Sequence, residues 1–397
     1  MIVVTLKKGR EDALLRFHPW IFSGAIASVK GNPHEGEVVE VRSAANEFLA
    51  VGHYQIGSIV VRVLSFTPCE IDETFWYNAL QKAYEMRKCL HLTDNAETTA
   101  YRLVHGEGDF LPGLIIDIYG TTAVMQAHSA GMFLAREKIV IALQKIYGEK
   151  LQRIYDKSAA TVPFKAGLDA CDTYLFNLPN TTSEEIILEN NYRFAVDWEA
   201  GQKTGFFLDQ RENRQLLSQY SKDKKVLNLF GYTGGFSLYA MGGGAALVHS
   251  VDSSQRAIDM TERNVALNTQ LPIANHKSFA VDAFDFLHQS ADFTYDLMIV
   301  DPPAFAKHIG SLKNALQAYK RLNAVAISKI ASGGVIFTFS CSQVVNKIDF
   351  RNAIFSAAAI AKRRVRILHQ LTQPSDHPIN IYHPEGEYLK GLVIYVE

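Results

Sequence analysis

The chain has 397 residues, with 40 Lys and Arg against 41 Asp and Glu, a formal charge of −1, 48% hydrophobic and 20% charged residues. These values exclude a disordered chain and a binder that works by bulk positive charge, but not a nucleic-acid enzyme with local basic patches. At roughly 100–200 residues per domain, two or three domains are expected. The four cysteines (Cys69, Cys89, Cys171, Cys341) lie far apart with no Cys-x-x-Cys pair, which argues against a zinc cluster or a disulfide framework. No leader pattern and no membrane-length apolar run is found, so the chain reads as soluble and cytoplasmic.

The first region, 1–70, has short alternating runs at Ile2–Leu6, Glu37–Val41, Phe48–Val51 and Ile59–Leu64, with turn material such as Gly31-Asn32-Pro33 between them. That pattern predicts a small, mostly β module. Arg16–Gly24 carries an aromatic cluster in a Pro- and Gly-bracketed turn. Trp20 and Phe22 fill a small barrel core on the plainer reading. On the sharper one they mark an RNA-facing surface, with Arg16 and His18 on phosphates.

The second region, 71–180, opens with a helix over Glu73–Leu90, by the spacing of Phe75, Leu80, Ala83 and Met86. Strands follow at Gly113–Ile118, Ala123–Ala127 and Leu151–Tyr155, with a helix over Met132–Ile146. This predicts an α+β module. Gly106, Gly108 and Gly113 serve tight turns rather than phosphate, since no helix follows them directly.

The third region, 181–397, starts with a hairpin, Ile186–Glu189 and Tyr192–Val196 around Asn190-Asn191. Strands and helices then alternate. Strands are expected at Val226–Phe230, Leu247–Val251, Ser278–Val281, Leu297–Val300, Val335–Phe339, Arg364–Leu368 and Leu392–Val396, and a Ser-capped helix at Ser254–Asn268. Seven strands with interleaved helices predict a doubly wound α/β sheet.

The chemistry-bearing residues sit at the ends of these strands. Asn228–Ser237 is a strand end, a glycine-rich turn and a helix start, suited to close backbone approach of a ligand. It lacks the G-x-G-x-x-G dinucleotide spacing, which disfavours a dehydrogenase. Asp252, 24 residues after Asn228, ends the next strand and can take both hydroxyls of a ribose. Asp282, before Ala283, can accept from an adenine amine; each Asp taken alone reads equally as a helix N-cap. Asp301-Pro302-Pro303-Ala304-Phe305 aims a carboxylate and a ring above the sheet. Ser340-Cys341-Ser342 places a thiol where active sites sit in such folds, although a buried structural thiol is the plain alternative.

Taken together, these segments resemble the bacterial 23S ribosomal RNA cytosine-C5 methyltransferases that carry an N-terminal PUA domain and use S-adenosylmethionine. The resemblance spans essentially the whole chain. It rests on His18–Ala25, Tyr101–Leu114, Lys203–Arg214, Asn228–Ser237, the DPPAF and FSCS segments, Asp376–Ile379 and Tyr382–Leu392. It implies a small β-barrel PUA domain over 1–70, a central α+β domain over 71–180 and a class I, Rossmann-like methyltransferase domain with a seven-stranded mixed sheet over 181–397. It also implies roles. Asn228, Leu229, Phe230, Tyr232 and Thr233 would cradle the methionine part of the cofactor, Asp252 and Ser253 the ribose, and Asp282 with Ala283 the adenine. Asp301 would touch both cofactor and base. Gln210, Arg211, Pro302 and Pro303 would contact the target base. The plainer reading of that first segment packs Phe206–Leu208 under the sheet and pairs Asp209 with Arg211.

The implied catalytic residues are Cys341, adding to C6 of cytosine, and Asp301, holding N3 and the exocyclic amine. RNA enzymes of this chemistry often carry a second Cys in a D-x-P-C loop that assists release; here Ala304 stands there, which puts the release step in question. The partner is 23S ribosomal RNA, with no metal and no membrane, and a homodimer is left open. Two alternatives stand beside this reading: an amino-group RNA methyltransferase using the DPPAF loop without the cysteine, and a non-catalytic RNA-binding assembly factor. The basic run Lys362, Arg363, Arg364 and Arg366 reads first as a solvated face.

Overall fold

The computed structural model describes residues 2–163, 166–179, 185–292, 294–306 and 308–397. The division expected at 180/181 lies outside the described residues. The chain forms two compact units. The first takes Met1–Leu188, Val196–Leu208 and Ser375–Gly386; the second takes Glu189–Ala195, Asp209–Pro374 and Glu387–Glu397.

The first unit holds two sheets. Strands β1 (Val3–Leu6), β2 (Trp20–Phe22), β3 (Ile26–Lys30), β4 (Val38–Arg42), β5 (Phe48–Tyr54) and β6 (Ile59–Ser65) form a six-stranded sheet in the order β2-β6-β5-β4-β1-β3, with the short helix α1 (Asp12–Leu15) after β1. Four of these strands match the alternating runs; β2 and β3 were not anticipated. Alternation along β2 turns Ile21 into the core and leaves Phe22 46% exposed, so the core expectation for Trp20 and Phe22 is corrected. Trp20 is half-buried, and its Nε1 donates to Glu107 Oε1 at 2.8 Å.

The second sheet is built from α2 (Glu73–Cys89), β7 (Ala100–His105), β8 (Leu114–Tyr119), β9 (Thr122–Ala127), α3 (Ala130–Leu134), α4 (Arg136–Tyr147), β10 (Arg153–Asp156) and β11 (Thr173–Asn177), in strand order β11-β10-β9-β8-β7. The single helix expected over Met132–Ile146 is two. The Arg136 side chain donates to the Phe133 carbonyl at 3.0 Å, taking an acceptor that a continuous helix would use for its own ladder. Gly106–Asp109 forms a 3-10 turn, and a side chain at Gly108 would collide with the Pro378 carbonyl, in keeping with a packing role.

Strands β12 (Glu185–Glu189) and β13 (Tyr192–Val196) meet through Asn190 and Asn191, both at positive φ (50° and 67°), as a tight hairpin turn requires.

The second unit is a doubly wound sheet. It contains α5 (Arg211–Gln219), β14 (Lys225–Leu229), α6 (Gly235–Gly242), β15 (Leu247–Asp252), α7 (Gln255–Ala266), β16 (His276–Ala280), α8 (Ala283–Gln289), β17 (Leu297–Val300), α9 (Leu312–Lys329), β18 (Gly334–Ser340), α10 (Lys347–Ala361), β19 (Val365–Leu371) and β20 (Lys390–Val396). The order is β16-β15-β14-β17-β18-β20-β19, parallel up to β18, with β20 antiparallel to both its neighbours. β17 is buried at every residue, as expected of a strand covered on both faces. The order reverses between β14 and β17, and the crevice beyond their carboxyl ends is where ligands bind in open α/β sheets. Among the described residues, no helix is long and apolar enough to cross a membrane.

Candidate active site

The turn after β14 is held in an unusual shape. Phe230 and Tyr232 adopt positive φ (59° and 46°), and Gly234 follows at 78°. Bulky residues seldom occupy that region, and the strain persists only where the surroundings over-determine it. Here they do. Tyr232 N donates to Asp252 Oδ2 at 3.0 Å, Thr261 Oγ1 donates to the Tyr232 carbonyl at 2.8 Å, and Asn264 Nδ2 donates to the Thr233 carbonyl at 2.8 Å. A Cβ at Gly234 would lie 2.7 Å from Thr261 Cγ2, so only glycine fits. The Asn228 side chain turns inward instead. It is buried and donates to Ser237 Oγ at 2.9 Å, so it braces the turn from beneath.

Asp252 and Asp282 act as local caps and still keep acceptor capacity. Asp252 takes one backbone N–H on each oxygen, from Tyr232 and from Ser254 (2.9 Å). Asp282 caps α8 through Oδ1 alone, accepting from Phe284 N (2.8 Å) and Asp285 N (3.3 Å). A carboxylate has about four lone-pair sites, so both can take further donors. Ala283 is buried and Ser253 is exposed.

After β17, Asp301 is half-buried, Pro302 buried and Pro303 exposed. Gln210 Nε2 donates to Asp301 Oδ2 at 2.9 Å, and Asn213 Nδ2 donates to Gln210 Oε1 at 2.6 Å. The second bond fixes which end of the Gln210 amide faces Asp301. Arg211 follows directly at the start of α5. It is buried, with Nε 3.6 Å from Glu189 Oε2, next to the two-pronged Arg214–Glu189 pair (2.8 Å each). Asp209 accepts from Tyr388 OH at 2.7 Å. Of Lys203–Arg214, residues up to Leu208 belong to the first unit, where Thr204 Oγ1 donates to Asp117 Oδ2 at 2.6 Å.

Cys341 directly follows β18 and is half-buried, whereas Cys69, Cys89 and Cys171 are exposed. Ser342 links its surroundings: Oγ accepts from Ala306 N (3.3 Å) and pairs with Tyr319 OH (3.1 Å). Burial raises the Tyr319 phenol, so it stays a neutral hydrogen-bonding group. Sequence reasoning missed Asn213, Tyr319 and Lys390. Lys390 is buried at the start of β20, with Nζ donating to the carbonyls of Ser342 (2.7 Å) and Tyr388 (2.6 Å). Burial lowers it to about 8. A lysine heading a strand buried at all but Tyr395 was the available signal.

Residues 166–378 match the S-adenosylmethionine-dependent methyltransferase family, and residues 4–66 match a PUA-like domain. The ribosomal RNA large subunit methyltransferase I of Aeromonas salmonicida is 42% identical over 397 residues, covering 99% of each chain. That of Escherichia coli O139:H28 is 39% identical over 398 residues, again at 99% of each. Among solved structures, a methyltransferase from Streptococcus mutans matches with a TM-score of 0.84 at 26% identity over 100% of both chains. A methyltransferase solved in complex with S-adenosylhomocysteine matches at 0.85, with the same identity and coverage. The chain belongs to the S-adenosylmethionine-dependent methyltransferases with an N-terminal PUA-like domain, in the family of the ribosomal RNA large subunit methyltransferase I proteins.

Proposed function

We propose that this enzyme methylates C5 of a cytosine in large-subunit (23S) ribosomal RNA in the cytoplasm, with Cys341 as nucleophile and Asp301 holding the base. The observation that carries the reading is a half-buried thiol at the end of β18 beside a carboxylate at the end of the adjacent strand β17, their turns joined through Ser342. The relatives named as large-subunit ribosomal RNA methyltransferases supply the substrate class. Residues 1–70 and 71–180 would carry much of the RNA contact.

The residues fit S-adenosylmethionine, the cofactor of the family. The spare acceptors of Asp252 suit ribose hydroxyls, the free oxygen of Asp282 suits an adenine amine, and the strained turn at Leu229–Thr233 brings backbone close to the methionine part. When bound, this cofactor supplies an electrophilic sulfonium methyl group.

C5 of cytosine is a weak nucleophile until C6 is attacked. The Cys341 thiolate forms an Sγ–C6 bond, and the displaced double-bond electrons make C5 the nucleophilic end of an enamine. Asp301 bridges N3 and the exocyclic amine; acting as the acid, it gives its proton to N3 as the thiolate adds, which draws those electrons toward the ring nitrogen, and it takes that proton back at the end. Once C5 carries its methyl group, its proton leaves to a base, the C5–C6 double bond re-forms and the Sγ–C6 bond breaks. The thiolate and the N3 proton are returned. Ala304 offers no thiol for the release step. A base inside folded RNA must be flipped or already unpaired to reach this site.

RNA carrying 5-fluorocytosine at the target tests this reading, because fluorine cannot leave as a proton and elimination stalls. A covalent complex whose cross-linked peptide contains Cys341 is expected. A link to another cysteine would overturn Cys341 as nucleophile, and full methylation by Cys341→Ala would overturn the mechanism and favour an amino-group methyltransferase.

A further inference from the structure

A cavity of about 220 Å³ in the second unit gathers basic side chains from several elements. Lys347 and Arg351 come from the first turns of α10, Gln370 from the end of β19, Thr372 from just beyond it and Lys390 from the start of β20. Lys347 and Arg351 are one helical turn apart and share a face of α10. Among the described residues, no acidic side chain lines this space.

The positive charge here is only partly matched. Lys347 pairs with Glu387. Arg351 is exposed and has no ion pair among the described residues. Lys390 is 4% exposed and donates to two neutral carbonyls, those of Ser342 (2.7 Å) and Tyr388 (2.6 Å). Asp349, also on α10, is held by Asn346 Nδ2 at 2.8 Å and does not line the cavity. Three cations therefore meet a single carboxylate. A buried ammonium with neutral partners is costly; burial lowers the proton affinity of Lys390 and Lys347 adds to that, and an anion in the cavity would offset both. The Gln370 amide and the Thr372 hydroxyl, which make no side-chain hydrogen bond among the described residues, add neutral donors.

The sheet register sets this cavity beside the chemistry. β20 runs antiparallel to β18 with Lys390 opposite Ser340, and Lys390 Nζ reaches the carbonyl of Ser342. Cys341 is the residue between those two. A nucleotide taken out of a folded RNA swings about its own backbone, so its flanking phosphates arrive at the mouth of the site that receives the base. A guanidinium fork and ammonium groups suit phosphate oxygens. With a formal charge of −1, the chain has no bulk attraction for RNA, and its phosphate contacts have to be local ones of this kind.

We propose that this cavity binds a backbone phosphate of the RNA next to the nucleotide being methylated, with Arg351 and Lys347 on its oxygens and Lys390 adding charge from the cavity wall. The proposal rests on the reading that Cys341 meets the target base.

Its test reads RNA binding, whichever atom takes the methyl group. Unmodified 23S ribosomal RNA is methylated with labelled cofactor, and the shortest fragment carrying the label is isolated. Its affinity for the full chain is then measured from about 50 to 400 mM KCl. Arg351→Gln should bind about three- to tenfold more weakly near 100 mM KCl, and the slope of log K against log salt should flatten by about 0.7, one single-strand phosphate contact. Arg351→Lys, which keeps the charge, should keep the slope. Arg364→Gln removes the same charge from an exposed position at the other end of β19 and should match wild type. S-adenosylhomocysteine affinity should stay unchanged in all three. An Arg351→Gln slope and affinity equal to wild type would overturn the proposal, and so would equal weakening by Arg364→Gln, which marks an effect of net charge alone. Calorimetry with inorganic phosphate separates the source of the anion: phosphate binding abolished by Arg351→Gln with the RNA slope unmoved would make this a free-anion site and overturn the RNA assignment. Undiminished methylation by Cys341→Ala would refute the nucleophile, while the slopes would still decide the phosphate site.

Discussion

Gln210 Nε2 donates to Asp301 Oδ2 at 2.9 Å, and Asn213 holds the other end of the same amide at 2.6 Å. Both amides are buried, so the carboxylate is aimed by a two-link chain anchored on α5. A hydrogen bond to a charged group contributes about 1.5–3 kcal/mol. Gln210→Ala should therefore lower kcat roughly tenfold to a hundredfold while S-adenosylmethionine binding stays near wild type. Steady-state kinetics alongside calorimetry checks this; a loss confined to cofactor affinity would contradict it.

Asp252 holds the strained turn through Tyr232 N and keeps spare acceptors, which the proposed cofactor site gives to a ribose. Asp252→Ala removes both functions, and cofactor affinity should fall at least tenfold. Asp252→Asn keeps an acceptor for one backbone N–H and should fall between the two. Isothermal titration with S-adenosylhomocysteine measures both, and equal affinities across the series would remove Asp252 from the cofactor site.

Two histidines tie stability to acid. Burial lowers His53 and His276 to about 4, with nearby Lys138 adding at His53. In the unfolded chain each titrates near 6.5. Between these values the unfolded state binds more protons, so stability falls as pH drops from about 6.5 toward 4, by about 1.4 kcal/mol per pH unit for each histidine. The melting temperature should decline between pH 7 and pH 5, where most carboxylates do not yet titrate. A flat profile over that range would mean these imidazoles are solvated.

A fragment beginning at residue 181 should not fold as an intact enzyme domain. Val196–Leu208 and Ser375–Gly386 belong to the first unit, where Trp198 and Asp376 are fully buried. Asp376 accepts from Arg102 N at 3.0 Å, and its carbonyl accepts from Arg87 Nη2 at 2.8 Å. Deleting those partners strands buried polar groups and aromatic surface. Dye binding and a broad, non-cooperative melt are the expected outcome; a sharp transition would show that these two segments need no partner.

Much of the second unit was legible because its signals are local. Strand, glycine turn, helix and strand-end aspartates follow one another within a few residues, and β17 is found where its apolar run predicts it. The Ser254 cap of α7 is of the same kind. The contacts that aim the chemistry were not legible. Gln210 and Asp301 are 91 residues apart, and Lys390 and Ser342 are 48 apart, so no window along the chain contains both partners. In the first unit β2 was hidden because three residues of Trp-Ile-Phe show too little alternation to be read as a strand. The basic run near residue 363 was read as a solvated face, yet Arg363 is spent on carbonyls at Ile327 and Ile330.

The shared hydroxyl of Ser342 makes the acid and the thiol parts of one jig. The turn that carries Asp301 hangs on it through Ala306, and the turn that carries Cys341 contains it. Neither turn drifts without dragging the other. On the proposed mechanism, the gap for the pyrimidine ring is then set by the sheet rather than by the incoming base, and it is the RNA that adjusts at capture.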